Sequence, residues 1–275
     1  MARRIITGIV LTLVLLMGAR QLSKRNPVDL AAEGSGMKLR HRTVTEQVGP
    51  GQPLCAVRIE PAQRAELVVR WVSPPSSTIV AIPMMRVEPD RYEAYLPDLG
   101  KGARLRYWIG AVNVEGAKLR LPNDPGRLVT LKFKGTASMG VLIAHIAFMF
   151  GAFFFMVMSF FGAIRILRGL EGTRSTVNAA RWVLILSFIG GWPLGFILNH
   201  QTFGSLWEGY PFGYDITDNK TQVIFLLWLV SLLFAWGSFT GAGEGKDRLG
   251  ARPFAYAILA SFLVSLVLFI LPHSM

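Results

Sequence analysis

Residues 140–164 read GVLIAHIAFMFGAFFFMVMSFFGAI and contain no Asp, Glu, Lys or Arg. A run of about 20 apolar residues is long enough to cross a hydrocarbon core of about 30 Å as a helix. Three further uncharged apolar runs follow, at residues 182–198, 223–239 and 254–271. The second half of the chain therefore predicts a four-helix transmembrane bundle over residues 138–272.

The composition agrees with a membrane protein that also carries an exposed domain. Hydrophobic residues make up 52% of the 275 residues and charged residues only 17%, whereas soluble domains are about 25% charged. The polar and charged residues are concentrated before Lys134 and the apolar runs after it. We therefore predict an α+β membrane protein with an N-terminal domain outside the lipid.

The first 20 residues resemble a secretory signal. Met1-Ala-Arg-Arg4 is basic, and residues 5–17 form a short apolar run, which is the order of a signal peptide. No small-x-small cleavage site follows, so we favour an uncleaved signal anchor over a cleaved signal peptide. With either, the segment that follows is exported.

The charges of the connecting segments predict the orientation. The link 165–181 carries four arginines against one glutamate, and the link 241–252 carries three basic residues. The link 199–220 carries one lysine and three acidic residues. Because basic links stay in the cytoplasm, we expect the link 199–220, the N-terminal domain and the C-terminal His273 to lie outside. The expected location is a cell inner membrane, crossed several times.

Residues 54–134 predict an extracytoplasmic β-sandwich, because short apolar or alternating runs are separated by turns rich in Pro and Gly. The predicted strands cover residues 54–59, 66–72, 78–85, 91–96, 104–112 and 128–133. Residues 21–53, in which Gly and Pro are scattered, predict a tether.

Part of this domain resembles a known family of sandwiches. Residues 92–116 read YEAYLPDLGKGARLRYWIGAVNVEG, and a Leu-Pro turn there precedes a Leu-x-Tyr strand. The run resembles the second half of fibronectin type III and Ig-like domains, in which such a tyrosine forms a corner. The resemblance implies that Tyr107 is the corner residue and that Asn113-Val-Glu-Gly116 is a hairpin turn. It implies a fold and no function.

The exported segment is basic. Residues 20–134 contain 19 Lys and Arg against 11 Asp and Glu, a net charge of +8. A basic domain beside a bilayer is attracted to anionic lipid headgroups or to an acidic partner, and its location excludes nucleic acid. Cys55 is the only cysteine, so no internal disulfide forms, and we interpret it as a small buried hydrophobic residue.

Two histidines are candidates for cofactor binding. His145 is the one histidine within a predicted span, and His200 ends the next span at the same membrane face. Two imidazoles at comparable depth would suit a b-type haem. The alternative is that His145 bonds to a neighbouring helix and His200 caps its own helix.

The outer loop 199–220 is the best candidate for a ligand site. It is rich in aromatic residues and glycines and ends in a cluster of oxygen-bearing side chains. It is either an aromatic belt, with Thr217 or Asp218 capping the next helix, a cation site, or the wall of a pocket for a quinone or a lipid-like molecule. The candidate residues are Trp207, Glu208, Tyr210, Tyr214, Asp215, Asp218 and Asn219.

No nucleotide-binding, nucleophile or zinc motif occurs in the chain. We therefore predict a non-catalytic protein without a cofactor that docks or organises partners in an envelope complex through its β-domain, with membrane lipid and other membrane or periplasmic proteins as partners. The first alternative is a redox subunit that binds haem b or a quinone near the outer face. A second alternative is a small-molecule channel or carrier.

Overall fold

The computed structural model describes residues 2–23, 27–34 and 36–271, which form two compact units. The helical unit contains residues 2–23, 137–200 and 205–271, and the β-rich unit contains residues 27–136 and 201–204. This organisation confirms the α+β part of the predicted fold class. His273, whose side of the membrane the sequence predicts, lies outside the described residues.

Seven α-helices make up the helical unit over the described residues. They are α1 (Ala2–Ser23), α2 (Met139–Leu167), α3 (Arg174–Ile189), α4 (Gly195–Phe203), α5 (Ile216–Phe234), α6 (Trp236–Thr240) and α7 (Ala251–Ile270). A π-helical turn, Gly190–Leu194, joins α3 to α4, and a 3₁₀ turn, Glu244–Lys246, follows α6. Pro193 lies inside the π-helical turn, where its missing backbone N–H interrupts the regular α-helical hydrogen bonds.

Five segments are long and apolar enough to cross a membrane. They are Ala2–Leu22, Met139–Leu167, Arg174–Phe203, Ile216–Phe234 and Ala251–Ile270. The last four contain most of the predicted spans, and the lengths and compositions of all five indicate a multi-pass membrane protein.

Helix α1 packs on the other helices, so the unit contains five long segments where the sequence predicted a bundle of four. Leu16 belongs to the buried core of the unit. A Cβ on Gly8 would lie 3.0 Å from the ring of Phe154 on α2, so a small residue allows this close approach. The Arg4 guanidinium pairs with Glu171, which follows α2, at 3.1 Å.

The packing between α5 and α7 combines small residues with buried hydrogen bonds. Ser231 and Ser261 bond through their hydroxyl oxygens at 2.9 Å, and the indole N–H of Trp228 donates to Ser265 at 3.0 Å. Polar side chains in an apolar environment gain by pairing with each other. These contacts therefore fix the two helices to one another.

A second polar cluster joins the two predicted cytoplasmic links. The backbone N–H of Thr173 donates to Glu244 at 2.8 Å, and the N–H of Ser238 donates to Asp247 at 2.6 Å. The hydroxyls of Thr173 and Ser238 lie 2.9 Å apart. Together with the Arg4 pair, these bonds bring the start of α1 and both links to one end of the helical unit.

Two sheets enclose one core in the β-rich unit, which is compatible with a β-sandwich. The first sheet has the order β1-β2-β4-β8-β7, with β1 (Asp29–Gly34), β2 (Met37–Arg42), β4 (Leu54–Glu60), β8 (Arg91–Tyr95) and β7 (Met85–Glu88). The second has the order β3-β11-β9-β5-β6, with β3 (Glu46–Val48), β11 (Val129–Lys134), β9 (Arg104–Asn113), β5 (Ala65–Val72) and β6 (Val80–Pro83). Strand β10 (Lys118–Leu121) also pairs with β9.

The predicted tether over residues 21–53 was wrong. Its first residues extend α1, and its described remainder contains the strands β1, β2 and β3, with β1 and β2 paired as an antiparallel hairpin. In β2 the residues Met37, Leu39 and His41 face the core, while the residues between them face outward. The alternation is present in the sequence, but a histidine occupies one of its three inward positions.

The predicted strand over residues 78–85 is two strands in different sheets. Strand β6 pairs with β5, and β7 pairs with β8. Met84 lies between them, is buried in the core, and donates its N–H to Leu67 at 2.8 Å. The chain therefore crosses from one sheet to the other at Met84.

Cys55 is fully buried as predicted, and burial raises the pKa of its thiol to about 12.

Tyr107 does not form the predicted corner. Its hydroxyl lies 2.8 Å from Nε2 of His41 and accepts the N–H of Val44 at 3.0 Å. The Nδ1 of His41 lies 2.7 Å from the Ala56 carbonyl and must donate to it, so Nε2 accepts the tyrosine proton. Burial lowers the pKa of His41 and raises that of Tyr107, which keeps both neutral. The predicted turn after Asn113 is confirmed, because β9 and β10 form a hairpin there.

We expect Tyr107→Phe to destabilise the β-rich unit by about 1–3 kcal/mol, because it leaves two buried groups without their hydrogen-bond partner. Pulse proteolysis of the full chain in detergent over a urea series measures this change. The control is Tyr95→Phe, since Tyr95 is 57% exposed. Equal stability of the two variants would show that the buried hydroxyl contributes nothing.

Candidate functional site

His145 lies on α2 and bonds to the π-helical turn. Its Nδ1 is 2.9 Å from the Gly190 carbonyl, to which it must donate. A Cβ on Gly190 would lie 2.9 Å from the sulfur of Met149, so the turn approaches α2 closely. The contact is the helix-to-helix bond that the sequence offered as an alternative to cofactor binding.

His200 lies on α4, ten residues after the carbonyl to which His145 bonds. Ten helical residues span about 15 Å along the axis. Two axial ligands of one haem must face the iron from opposite sides at much shorter range. The structure therefore gives no support to His145 and His200 as a pair of ligands.

The oxygen-bearing side chains of the outer loop bond to the loop's own backbone. Asp218 accepts the N–H of Glu208 at 2.6 Å, and Asn219 accepts the N–H of Tyr210 at 2.7 Å. Asp215 accepts the N–H groups of Thr217 and Asp218. Asp215 is thus the N-cap of α5, where the sequence had suggested Thr217 or Asp218.

The acidic side chains of the loop are engaged in hydrogen bonds within the loop. No group of three or more His, Cys, Asp or Glu side chains in the described part of the chain is placed to hold a metal ion. Glu208 accepts the hydroxyl proton of Ser205 at 2.6 Å, and its carbonyl accepts the N–H of Asp215 at 2.8 Å. The hydrogen bonds of these residues hold the loop in its conformation.

The aromatic residues of the loop divide into two sets. Trp207 packs inward, stacked on Trp192 with ring centroids 6.0 Å apart and edge-on to Phe196 at 5.8 Å. Tyr210, Phe212 and Tyr214 point outward, and the last two are 84% and 91% exposed. The outward set has the character of an aromatic belt at a membrane interface.

Sequence reasoning missed a surface on the second sheet. Alternation along the strands turns six cations and only two carboxylates outward, and we call this surface the basic face. The cations are Arg70, Arg104, Arg106, Lys118, Arg120 and Lys134, and the carboxylates are Glu46 and Glu66. Lys134 pairs with Glu46 at 2.6 Å. The outward arginines of β5, β9 and β10 form no ion pair with any carboxylate of the described residues.

The outer face of the first sheet is also rich in arginine, but most of its arginines are paired with carboxylates. Arg40 pairs with Glu60 at 3.1 Å, and Arg58 pairs with Asp90 at 2.7 Å. Arg91 pairs with Glu88 and Glu93. The excess of positive charge in the domain is therefore concentrated on one of its two faces. The outward cations of β9 alternate with core residues in the sequence, and that alternation is the pattern from which the surface could have been found.

No protein-family model matches the chain, and no curated protein matches it either.

We expect Asp218→Ala to loosen the outer loop, because the N–H of Glu208 loses a charged acceptor worth about 1.5–3 kcal/mol. Chymotrypsin should cut at the exposed aromatic residues about tenfold faster in the variant, in full-length protein held in lipid nanodiscs. The control is Asp124→Ala, which removes a comparable bond to Gly126 in the β-rich unit.

The same assay tests the cation hypothesis. Cleavage of the unmodified chain should be unchanged by EDTA. If EDTA accelerates cleavage as much as Asp218→Ala does, the loop binds a cation and our interpretation of its carboxylates is wrong.

Proposed function

We propose that the chain is a non-catalytic integral membrane protein that docks partners in an envelope complex through its β-rich unit. The observation that supports this proposal is the basic face, where arginines are held outward on a rigid sheet without acidic partners from the described chain. Like charges placed side by side on a sheet are unfavourable. An acidic partner would offset their repulsion and would be attracted by the same charges.

The polar residues of the helical unit support a structural role for that part of the chain. His145 bonds to Gly190, and Asp215, Asp218 and Asn219 bond to the loop backbone. Each of these groups is used in holding helices or the loop in place. The outward aromatic residues of the loop supply an interface with lipid headgroups.

The proposed location is a cell inner membrane with the β-rich unit outside the cytoplasm. In this orientation the basic links and the start of α1 lie in the cytoplasm, and α1 is a retained signal anchor. The pair between Arg4 and Glu171 supports retention, since α1 then contributes to the packed unit. Hydrogen bonds from Arg4 and Arg165 outweigh the effect of burial and hold the pKa of Glu171 below its usual range. A fibronectin type III or Ig-like topology for the sandwich remains a proposal on the sequence resemblance alone.

We expect the protein to leave its native membrane in mild detergent as an assembly larger than the 30.4 kDa chain. Arg104→Glu combined with Arg106→Glu should release the partner, because it reverses two charges of the basic face. Arg40→Glu on the first sheet is the matched control. Mass photometry of the extracted protein measures both. A chain that is monomeric in its native membrane lipid would contradict the proposal.

The second candidate is a redox subunit that binds haem b or a quinone near the outer face. The observation that favours it is the orientation of His145, whose Nδ1 donates to a backbone carbonyl. This arrangement is common for metal-bound histidines, because it leaves Nε2 as the ligand atom.

A reduced-minus-oxidised absorption spectrum of the purified protein separates the two candidates. We expect no haem α-band, and we expect His145→Ala to cost only stability through the lost bond to Gly190. A sharp α-band that disappears in His145→Ala would establish the redox function instead.

A further inference from the structure

A groove of about 370 Å³ lies on the basic face where β5, β9 and β10 are adjacent. Its floor is Gly110 on β9, which is flanked by Val68 on β5 and by Arg120 on β10. Arg70 lies opposite Trp108, and its side chain reaches over Gly110. A Cβ on Gly110 would lie 2.6 Å from Nη1 of Arg70. The missing side chain of a glycine therefore creates the space that the guanidinium occupies.

A second guanidinium converges on the same groove. Arg120 lies over the indole ring of Trp108, with its Cζ 5.1 Å from the ring centroid. One of its terminal nitrogens donates to the Pro125 carbonyl at 3.1 Å, which fixes its orientation. Its Nε is buried and has no hydrogen-bond partner in the described part of the chain.

The two arginines need an anion that the described chain does not supply. Neither Arg70 nor Arg120 forms an ion pair with a described carboxylate, and this includes Glu66, which lines the groove opposite Val112. A guanidinium presents parallel N–H donors that match the two oxygens of a carboxylate. A carboxylate between the two arginines would offset the repulsion of their positive charges.

The apolar part of the groove favours a polypeptide as the source of the carboxylate. The indole of Trp108 and the side chains of Val68 and Val112 provide flat apolar contact beside the charges. Trp and Arg, with Tyr, are enriched among the interface residues that contribute most of the binding energy in protein complexes. Binding to anionic lipid requires only a field of positive charge and no such groove.

We propose that this groove binds an Asp or Glu side chain from an acidic segment of a partner protein, between Arg70 and Arg120 and beside Trp108. The inference rests on the proposed docking function and assigns its partner a chemical class. Gly110 is the specificity-determining position, because any side chain there displaces Arg70 from the groove.

The test uses the full-length protein in phosphatidylcholine nanodiscs and a fluorescent ten-residue peptide of alternating Glu and Gly. Fluorescence anisotropy gives the Kd, and the matching Gln and Gly peptide is the uncharged control probe. We expect Arg70→Gln and Arg120→Gln each to raise the Kd about tenfold or more, since each removes a charged hydrogen bond. Arg40→Gln on the paired face should leave the Kd unchanged.

Gly110→Ala is the decisive variant, because it changes the groove without changing the net charge. The added methyl meets the mobile end of Arg70, so the sheet is expected to remain folded, and circular dichroism checks that it does. We expect the Kd to rise at least fivefold. A Kd that is unchanged in Gly110→Ala, or that rises equally in Arg40→Gln, would show diffuse attraction to the domain and would overturn the proposal.

Three further outcomes separate this site from the proposed function and from lipid. If the protein in nanodiscs binds vesicles that contain phosphatidylglycerol and does not bind the peptide, the basic face binds lipid and the proposal fails. If the double variant Arg70→Gln/Arg120→Gln retains the native assembly, docking stands and the groove is not its site. If the peptide binds as expected while the native protein is monomeric, the groove stands and the proposed complex fails.

Discussion

The buried pair of His41 and Tyr107 is the interaction on which the β-rich unit depends. It joins β2 of the first sheet to β9 of the second through a hydrogen bond of 2.8 Å within the shared core. The same hydroxyl accepts the N–H of Val44, so it also holds the segment that leads from β2 to β3. Every polar atom of this network has a partner, and a buried network stabilises a unique arrangement only when it is fully satisfied.

The sequence predicted those features of the fold that depend on composition over a long window. The spans were found because an uncharged run of 17 to 25 residues has few alternatives to a membrane helix. The hairpin of β1 and β2 was missed because His41 replaces an apolar residue in the alternation of β2. The strand over residues 78–85 was predicted as one element because the residue at which the chain changes sheets, Met84, is apolar and buried. The sequence therefore shows no polar turn signal between the two strands. Only the pairing of each half with a different sheet reveals the break.

The roles of the candidate site residues were also not predictable from composition alone. The sequence identified a loop with a cluster of oxygen-bearing side chains, but composition does not distinguish a ligand for a cation from an acceptor for a backbone N–H. A glycine of the loop favours the second role for Asp218. A Cβ on Gly209 would lie 2.8 Å from Cβ of Asp218, so the absence of a side chain there allows the two segments to approach. The loop closes on itself so tightly that Asp218 reaches the backbone of Glu208. Likewise, the net charge of the domain and the alternation of arginines in β9 were present in the sequence, but the strand order was needed to place the cations of β5 and β10 on the same face.

The position of the β-rich unit in the chain would add to the affinity that the basic face has for a membrane-bound partner. Helices long enough to cross a membrane precede and follow it in sequence, so in the proposed location both of its ends would be held at the bilayer. Attachment confines the search for a membrane-bound partner to a thin layer, which raises the effective concentration of the partner without any new contact. A single carboxylate held by two arginines contributes modest affinity by itself. In the proposed docking, confinement of this kind would allow so small a groove to suffice, and the partner would supply the carboxylate that the two arginines lack within the described domain.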